Sequence, residues 1–505
     1  MNAADKRTGI IDIGSNSIRL VIYELKANGG YRIIDESKET ARLSSRLKNG
    51  ILGEKDIQMV ADILYHFKQL CEVYQTEHIR AAATAAVRNA RNRREIVETV
   101  RRKTGLHIEV LSGEEEARYG FIGMINTIDV EDGFLVDIGG GSTEVTLFQQ
   151  REIVHTHSFP FGAVNTAQHT AKLNKNGKDE IAAIRQMVER ALKDTPWIRQ
   201  HPGLPLVGLG GTIRTLSKLH RRRINYSLPL THNYTMTRED MNSLLQLLTA
   251  TPLEKRKKLE GLSNGRADII IPGTVILLSL FEYMKADHYI VSGSGLREGL
   301  FFSTIRPQKA KVDNVLEYSV RNLLALYPSV NVHHVKQVNR LALQIFDVLK
   351  SFQHLPKKSR TYLHVSSLLY RIGVTVDYYH YPQHTYYLLA HSRLNGLSHR
   401  EILMCAMIAS YKSKKMARQI FRRHRDILSP EDLRLIERLG TLLRLAIALD
   451  RIQTQPISGL KAVLSGKELS LHVKYRRFPS IELKEADALK SDFKKLWGLQ
   501  LKICD

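Results

Sequence analysis

The sequence predicts an α/β N-terminal half made of two similar lobes, then a mainly α-helical half ending in a small α+β segment. Three observations predict it: strand and helix patterns alternate up to about residue 306, one apolar hairpin pattern occurs twice at a fixed offset, and long helical patterns then take over. A chain of 505 residues is too long for one core. The expected divisions are 1–127 and 128–306 for the two lobes, 307–452 for the helical part and 453–505 for the terminal segment.

Each element follows from its local pattern. Ile10–Ile13 and Arg19–Leu25 read as two strands joined by a tight Gly/Ser/Asn turn. Ile57, Val60, Ala61, Leu64, Phe67, Cys71 and Tyr74 recur at helical spacing on one face. Ile79–Ala83 and His107–Leu111 read as short strands with a helix between them. A helix is expected to start at Gly113, with Glu114, Glu115 and Glu116 in its first turn, where acids suit the positive end of the helix dipole. Ile269–Phe281 is the most apolar stretch; it is shorter than a membrane span and reads as a buried helix. Near the C-terminus, Ala462–Val473 and Ser480–Leu483 read as β-like.

The repeat is the strongest internal signal. IIDIGSNSIRLVIY at residues 10–23 matches LVDIGGGSTEVTLF at residues 135–148, pairing Asp12 with Asp137, Gly14 with Gly139 and Ser17 with Ser142. Two copies with the same Asp–Gly–Ser spacing imply two lobes that each open with this hairpin. A turn of small residues lets phosphate oxygens approach the backbone, so successive N–H groups can bind an anion. Ser15, Ser17, Ser142 and Thr143 add hydroxyl donors, and the Asp before each turn can position a metal ion or water. Either turn alone would be an ordinary tight hairpin; together they predict a phosphate cleft. The glycine turns VGLGGT (Val207–Thr212, with Arg214 just beyond) and IVSGSGLREG (Ile290–Gly299) are candidate walls of it.

Charge narrows the partners. The formal net charge is +24, with 42 Lys and Arg against 35 Asp and Glu in residues 1–306, and 33 against 16 in residues 307–505. The excess lies in the C-terminal part and favours a polyanion. Residues 412–425, KSKKMARQIFRRHR, hold Lys412, Lys414, Lys415, Arg418, Arg422, Arg423 and Arg425; such a run is a solvated helix face or a surface that guides an anionic polymer. No nucleic-acid motif accompanies it, so nucleic acid is not the expected partner. Three distant cysteines, Cys71, Cys405 and Cys504, argue against a disulfide framework or a cysteine zinc site and suit a reducing cytoplasm. Strand-like sequence from about Gly9 argues against a signal peptide. No transmembrane segment is expected; so basic a protein is compatible with peripheral membrane attachment, although no amphipathic anchor is visible.

The order DIGSNS, TAAVR, SGEEEAR, DIGGGSTE, GLGGT and SGSGLREG resembles the exopolyphosphatase and guanosine pentaphosphate phosphohydrolase (Ppx/GppA) family over residues 9–306, and more loosely beyond. The resemblance implies two ribonuclease-H-like lobes of the actin and sugar-kinase superfold. It implies that Glu116 aligns and deprotonates the attacking water, and that Asp137 and Glu144 hold a divalent cation, Mg²⁺, or help position that water. Arg88 would neutralise the phosphoryl group in transfer. The turns Gly14, Ser15, Asn16, Ser17 and Gly139, Gly140, Gly141, Ser142 would cradle its oxygens, with Gly210, Gly211 and Thr212 beside them. Phosphoryl transfer asks for this kind of positioning and charge neutralisation. A monovalent cation is a second candidate cofactor, and a homodimer is the implied assembly. The implied activity is release of orthophosphate from inorganic polyphosphate, the basic half favouring a long polymer. Hydrolysis of pppGpp to ppGpp is the close alternative; a kinase or a polyphosphate/ppGpp sensor on the same superfold is the alternative of another class.

The helical half resembles an HD-like domain whose motif is degenerate. His333 or His334 matches the first ligand and Asp450 the last, but Tyr370-Arg371 fills the central His-Asp slot. An arginine there would repel a cation, so a structural or substrate-guiding domain is expected.

Overall fold

The computed structural model describes residues 5–172, 178–350, 352 and 355–504. The chain forms two compact units, residues 1–226 with 231–315, and residues 227–230 with 316–505.

The first unit holds two sheets. In lobe I, β1 (Lys6–Ile13), β2 (Ile18–Leu25), β3 (Tyr31–Glu39), β4 (His78–Ala83) and β5 (Ile108–Val110) lie in the order β3-β2-β1-β4-β5. In lobe II, β6 (Gly133–Ile138), β7 (Thr143–Gln149), β8 (Glu152–Phe159), β9 (Leu206–Leu209), β10 (Tyr234–Met236) and β11 (Tyr289–Val291) lie in the order β10-β11-β9-β6-β7-β8. In each lobe the first three strands are antiparallel neighbours and the next two run parallel to the first. The topology is therefore duplicated along with the hairpin sequence, and β10 is the only addition to the second copy among the described residues. This duplicated topology is that of the two ribonuclease-H-like lobes expected.

The pattern of burial explains the elements. Ile10, Ile11 and Ile13 are all fully buried, as in a central strand covered on both faces. The helix Glu54–Val73 buries Ile57, Val60, Ala61, Leu64, Phe67 and Cys71, the face read from its spacing. The helix Gly113–Ile125 begins with a capping box, Ser112 and Glu115, and carries Glu114–Glu116 in its first turn. The apolar stretch forms the helix Ile270–Met284, buried on all sides in the lobe II core. No helix among the described residues is long and apolar enough to cross a membrane.

The helices Gly113–Ile125 and Leu296–Ile305 touch backbone to backbone. A Cβ at Gly123 would overlap the Gly295 carbonyl, and one at Gly299 would overlap the Tyr119 carbonyl. These two glycines allow the approach that brings Glu116 and Arg297 to one cleft.

The second unit is mainly helical. Its core helices are Val332–Leu349, Ser359–Leu369, Tyr381–His391, His399–Ala409 and Pro430–Ala448. Of the two candidate histidines, His334 is buried and His333 exposed. His334 Nδ1 is hydrogen-bonded to Asp450 Oδ2 at 2.7 Å, and its Nε2 to the Tyr370 hydroxyl. Both ring nitrogens are thus engaged. No cluster of three or more His, Cys, Asp or Glu able to hold a metal occurs among the described residues.

The terminal segment is α+β, as expected, and departs from the sequence reading in one stretch. Ala462–Val473 spans two strands, β12 (Ile457–Ser465) and β13 (Glu468–Tyr475), which turn at Gly466 and are joined by β14 (Gln500–Cys504). Ser480–Leu483 is not β-like but opens the helix Ser480–Asp487. Its alternation of polar and apolar residues misleads because Glu482 is buried, accepting from the Ile452 N–H at 3.2 Å, while Ile481 is exposed.

Candidate active site

The duplicated hairpins end in matching turns. The Gly14 N–H closes on the Ser17 carbonyl at 3.1 Å, and the Gly139 N–H on the Ser142 carbonyl at 2.9 Å. The two turns meet: a Cβ at Gly140 would lie 3.0 Å from Ser15 Cβ. Between the lobes they line a cleft of about 1030 Å³, part of it open to solvent. It gathers Gly14, Ser15, Asn16, Ser17, Gly139, Gly140, Ser142, Gly210, Gly211 and Thr212, together with Glu116 and Asp137. Gly141 packs instead against Ser44 and Ser15. Glu144 lies just behind, sharing a smaller cavity with Glu116 and Asp137.

The ladder register sets the acids. Asp137 faces Glu144 across β6 and β7, at the position where Asp12 faces Arg19 across β1 and β2. Arg88, at the end of the single turn Ala85–Arg88, donates from Nη1 to the Leu111 carbonyl at 3.0 Å and to Glu116 Oε2 at 2.6 Å. Its Nη2 lies 4.0 Å from Glu144 Oε1, which also accepts from Ser158 Oγ at 2.8 Å. Glu116 and Glu144 thus share Arg88, whereas the cation acting on Asp137 is Arg214, and burial raises the proton affinity of all three acids. Burial, then the Glu144 charge, lifts Glu116 well above the usual carboxylate range, against the Arg88 hydrogen bond. Burial, with Glu144 next, pushes Asp137 up to about 7. Burial also raises Glu144, opposed by hydrogen bonds from Ser142 and Ser158. Asp12 is raised by burial, against the pull of Arg297 and Arg19.

The opposite wall is cationic. Arg19, Arg214, Arg266 and Arg297 all line the cleft. Burial, then the charges of Arg297 and Arg19, pushes Arg214 down to about 10. The Arg266 guanidinium packs directly on the Gly211 backbone, in the place a Cβ would occupy. Glu36 holds two of the set, accepting from Arg297 Nη1 at 2.9 Å and Arg19 Nη1 at 3.4 Å. Sequence reasoning gave these arginines no role. Arg19 and Arg297 sit inside motifs that stood out for their glycines, and Arg266 has no local signal.

The donor set suits a hard divalent cation. Asp137, half-buried, and Glu144, buried, are paired across the ladder on either side of the Gly139–Ser142 turn, and Mg²⁺ is commonly held by one or two carboxylates completed by substrate phosphates and water. The six residues expected to guide a polymer lie in the second unit: Lys412 precedes the helix Lys414–Arg423, whose Lys414, Lys415, Arg418, Arg422 and Arg423 are all exposed.

Two glycine turns, clustered carboxylates and a cationic wall define a phosphate-handling site on the duplicated fold. Comparison with known proteins agrees: the Ppx/GppA phosphatase family model matches residues 21–307, and the Ppx/GppA phosphatase domain III model matches residues 315–494. The chain belongs to the Ppx/GppA phosphatase family. Among solved structures it is similar to a family member from Aquifex aeolicus, at 30% identity and a TM-score of 0.53 over 61% of this chain and 99% of that one. It is also similar in fold to an exopolyphosphatase from Cytophaga hutchinsonii, at 22% identity and a TM-score of 0.56 over 61% of this chain and 100% of that one.

Proposed function

We propose that the protein is an exopolyphosphatase that hydrolyses the terminal phosphoanhydride bond of inorganic polyphosphate and releases orthophosphate. The observation that carries this reading is one cleft that joins the acids Glu116, Asp137 and Glu144 to four arginines, Arg19, Arg214, Arg266 and Arg297, with Asp12 and Glu298 among them. A single orthophosphate would not need four arginines; a phosphate chain offers a negative charge for each.

In this mechanism the turns Gly14–Ser17 and Gly139–Ser142 hold the terminal phosphoryl group through backbone N–H and hydroxyl donors. Glu116, with its raised proton affinity, orients the attacking water and accepts its proton. Arg88 keeps Glu116 and Glu144 in place and offsets charge as the phosphoryl group moves. Asp137 and Glu144 would hold a divalent cation, which when bound draws charge from the phosphoryl oxygens. Arg19, Arg214, Arg266 and Arg297 bind the phosphates that stay behind. The basic helix Lys414–Arg423 is the surface proposed to guide a long chain, by counterion release.

The test is orthophosphate release from long-chain polyphosphate and from pppGpp, side by side, with Mg²⁺ and with chelator. Fast Mg²⁺-dependent release from the polymer supports the reading. Release only from the nucleotide moves the assignment to pppGpp hydrolysis. Release from neither makes the cleft a kinase or sensor site and withdraws the catalytic roles.

A further inference from the structure

Ser158 lies on β8, directly opposite Glu144 in the β7–β8 ladder. Its hydroxyl donates to Glu144 Oε1 at 2.8 Å. The other side of the same side chain is filled by Gly113, the first residue of the helix that carries Glu116. A Cβ on Gly113 would stand 2.7 Å from Ser158 Cβ and 3.0 Å from its hydroxyl oxygen, so residue 113 has no room for one. Arg88 completes the arrangement, bound to Glu116 Oε2 at 2.6 Å and lying 4.0 Å from the Glu144 oxygen that Ser158 holds.

One small side chain therefore does two things. Its oxygen fixes the carboxylate of Glu144, and its bulk seats the helix start from which Glu116 projects one turn later. Without that hydroxyl the Glu144 carboxylate would rest on Ser142 and the more distant Arg88, a looser hold about its last bond. With the hydroxyl in place, Oε1 is committed on the side that also faces Arg88. Only a short donor fits between a carboxylate and a bare glycine backbone, which accounts for serine at this position.

We propose that Ser158 is a positioning residue of the phosphoryl-transfer site, acting through Glu144 and not by touching substrate. The inference rests on the phosphatase reading of this cleft. It predicts a loss of turnover and of divalent-cation affinity but not of affinity for the chain, because the arginines and glycine turns that bind the chain are not substituted. Partners of this kind typically matter by about 10- to 100-fold when removed.

The test uses the full chain with Ser158→Ala and Ser158→Cys, the second keeping the size but supplying a much weaker donor. The expected result is a fall in kcat of about 10- to 100-fold in both variants, with KM within about twofold and the thermal midpoint nearly unchanged. Ser158→Cys with wild-type kcat would overturn the proposal, since bulk alone would then suffice; so would Ser158→Ala with kcat within about twofold of wild type. Binding of Mn²⁺, followed by electron paramagnetic resonance without substrate, reads the same geometry independently of turnover, and weaker binding in both variants is expected. Wild-type protein that releases no orthophosphate, yet binds Mn²⁺ more tightly than both variants, would sink the functional reading and leave the role of Ser158 standing. Equal Mn²⁺ binding in all three proteins would overturn it.

Discussion

Gly211→Ala offers an unusual test, because the substitution adds a methyl group to a helix yet should cripple substrate binding. Gly211 is the second residue of the helix Gly210–Arg223, and unlike Gly210 it does not have a left-handed backbone. Alanine is therefore allowed there, and in a helix it is favoured over glycine by up to about 1 kcal/mol. The fold should hold, with a thermal midpoint equal to or above that of wild type. The new methyl, however, would overlap the guanidinium of Arg266. The helix backbone cannot move easily, whereas the arginine can, so Arg266 should swing out of the cleft. Losing one hydrogen bond to a charged group costs about 1.5–3 kcal/mol, which corresponds to a rise in KM of about 10- to 150-fold. The contact serves the part of the chain that does not react, so kcat should change little. Orthophosphate release against substrate concentration measures both constants. Arg266→Ala should match Gly211→Ala, and the double variant should be no worse than either. A Gly211→Ala enzyme with KM within about twofold of wild type, when Arg266→Ala raises KM, would refute the idea that this glycine exists to seat that arginine.

Three other outcomes are expected. Glu116→Ala should lower kcat by about 10²- to 10⁴-fold, the usual worth of a general base, while polyphosphate still binds in a filter or fluorescence assay. Asp137, Glu116 and Glu144 all have raised proton affinity in the fold; the folded state then holds more protons than the unfolded one between the ordinary carboxylate range and about pH 7 for Asp137, so stability should fall as pH rises through that window. Thermal midpoints of the metal-free protein should drop from acidic to neutral pH, and Mg²⁺ should recover more of the loss at pH 7 than at pH 5. Replacing Lys412, Lys414 and Lys415 together should raise KM for long polyphosphate more than for short chains and flatten its salt dependence; equal effects on both would reject the guiding role.

Much of the fold could be read because its signals are local. The repeated Asp-Ile-Gly hairpin, the Ile57–Cys71 helical face and the acidic start at Gly113 depend on neighbours a few residues apart. What failed was local pattern overruled by tertiary contact. Ser480–Leu483 alternates like a strand, but burial of Glu482 as a cap for Ile452 makes it a helix. The cationic wall was hidden for the opposite reason: Arg19 and Arg297 come from opposite ends of the first unit and meet only through Glu36. Their charges left no mark on periodicity, and the nearby glycines drew the attention. Ser158 lay outside every motif, because its meaning is a ladder register opposite Glu144.

The two hairpins share a ladder register, but the residue facing the shared aspartate is Arg19 in the first copy and Glu144 in the second. Had both copies kept the same partner, a threaded polymer would meet the same surroundings from either side and could be held in either orientation. The exchange of a cation for an acid gives the groove a head and a tail. On the proposed reading, cleavage belongs to the tail, and the uncut remainder rests against the head. Each departing phosphate would then leave its successor facing the same acids, one unit further in. On that reading, a single pair of unlike residues would set the direction in which the chain is held and shortened.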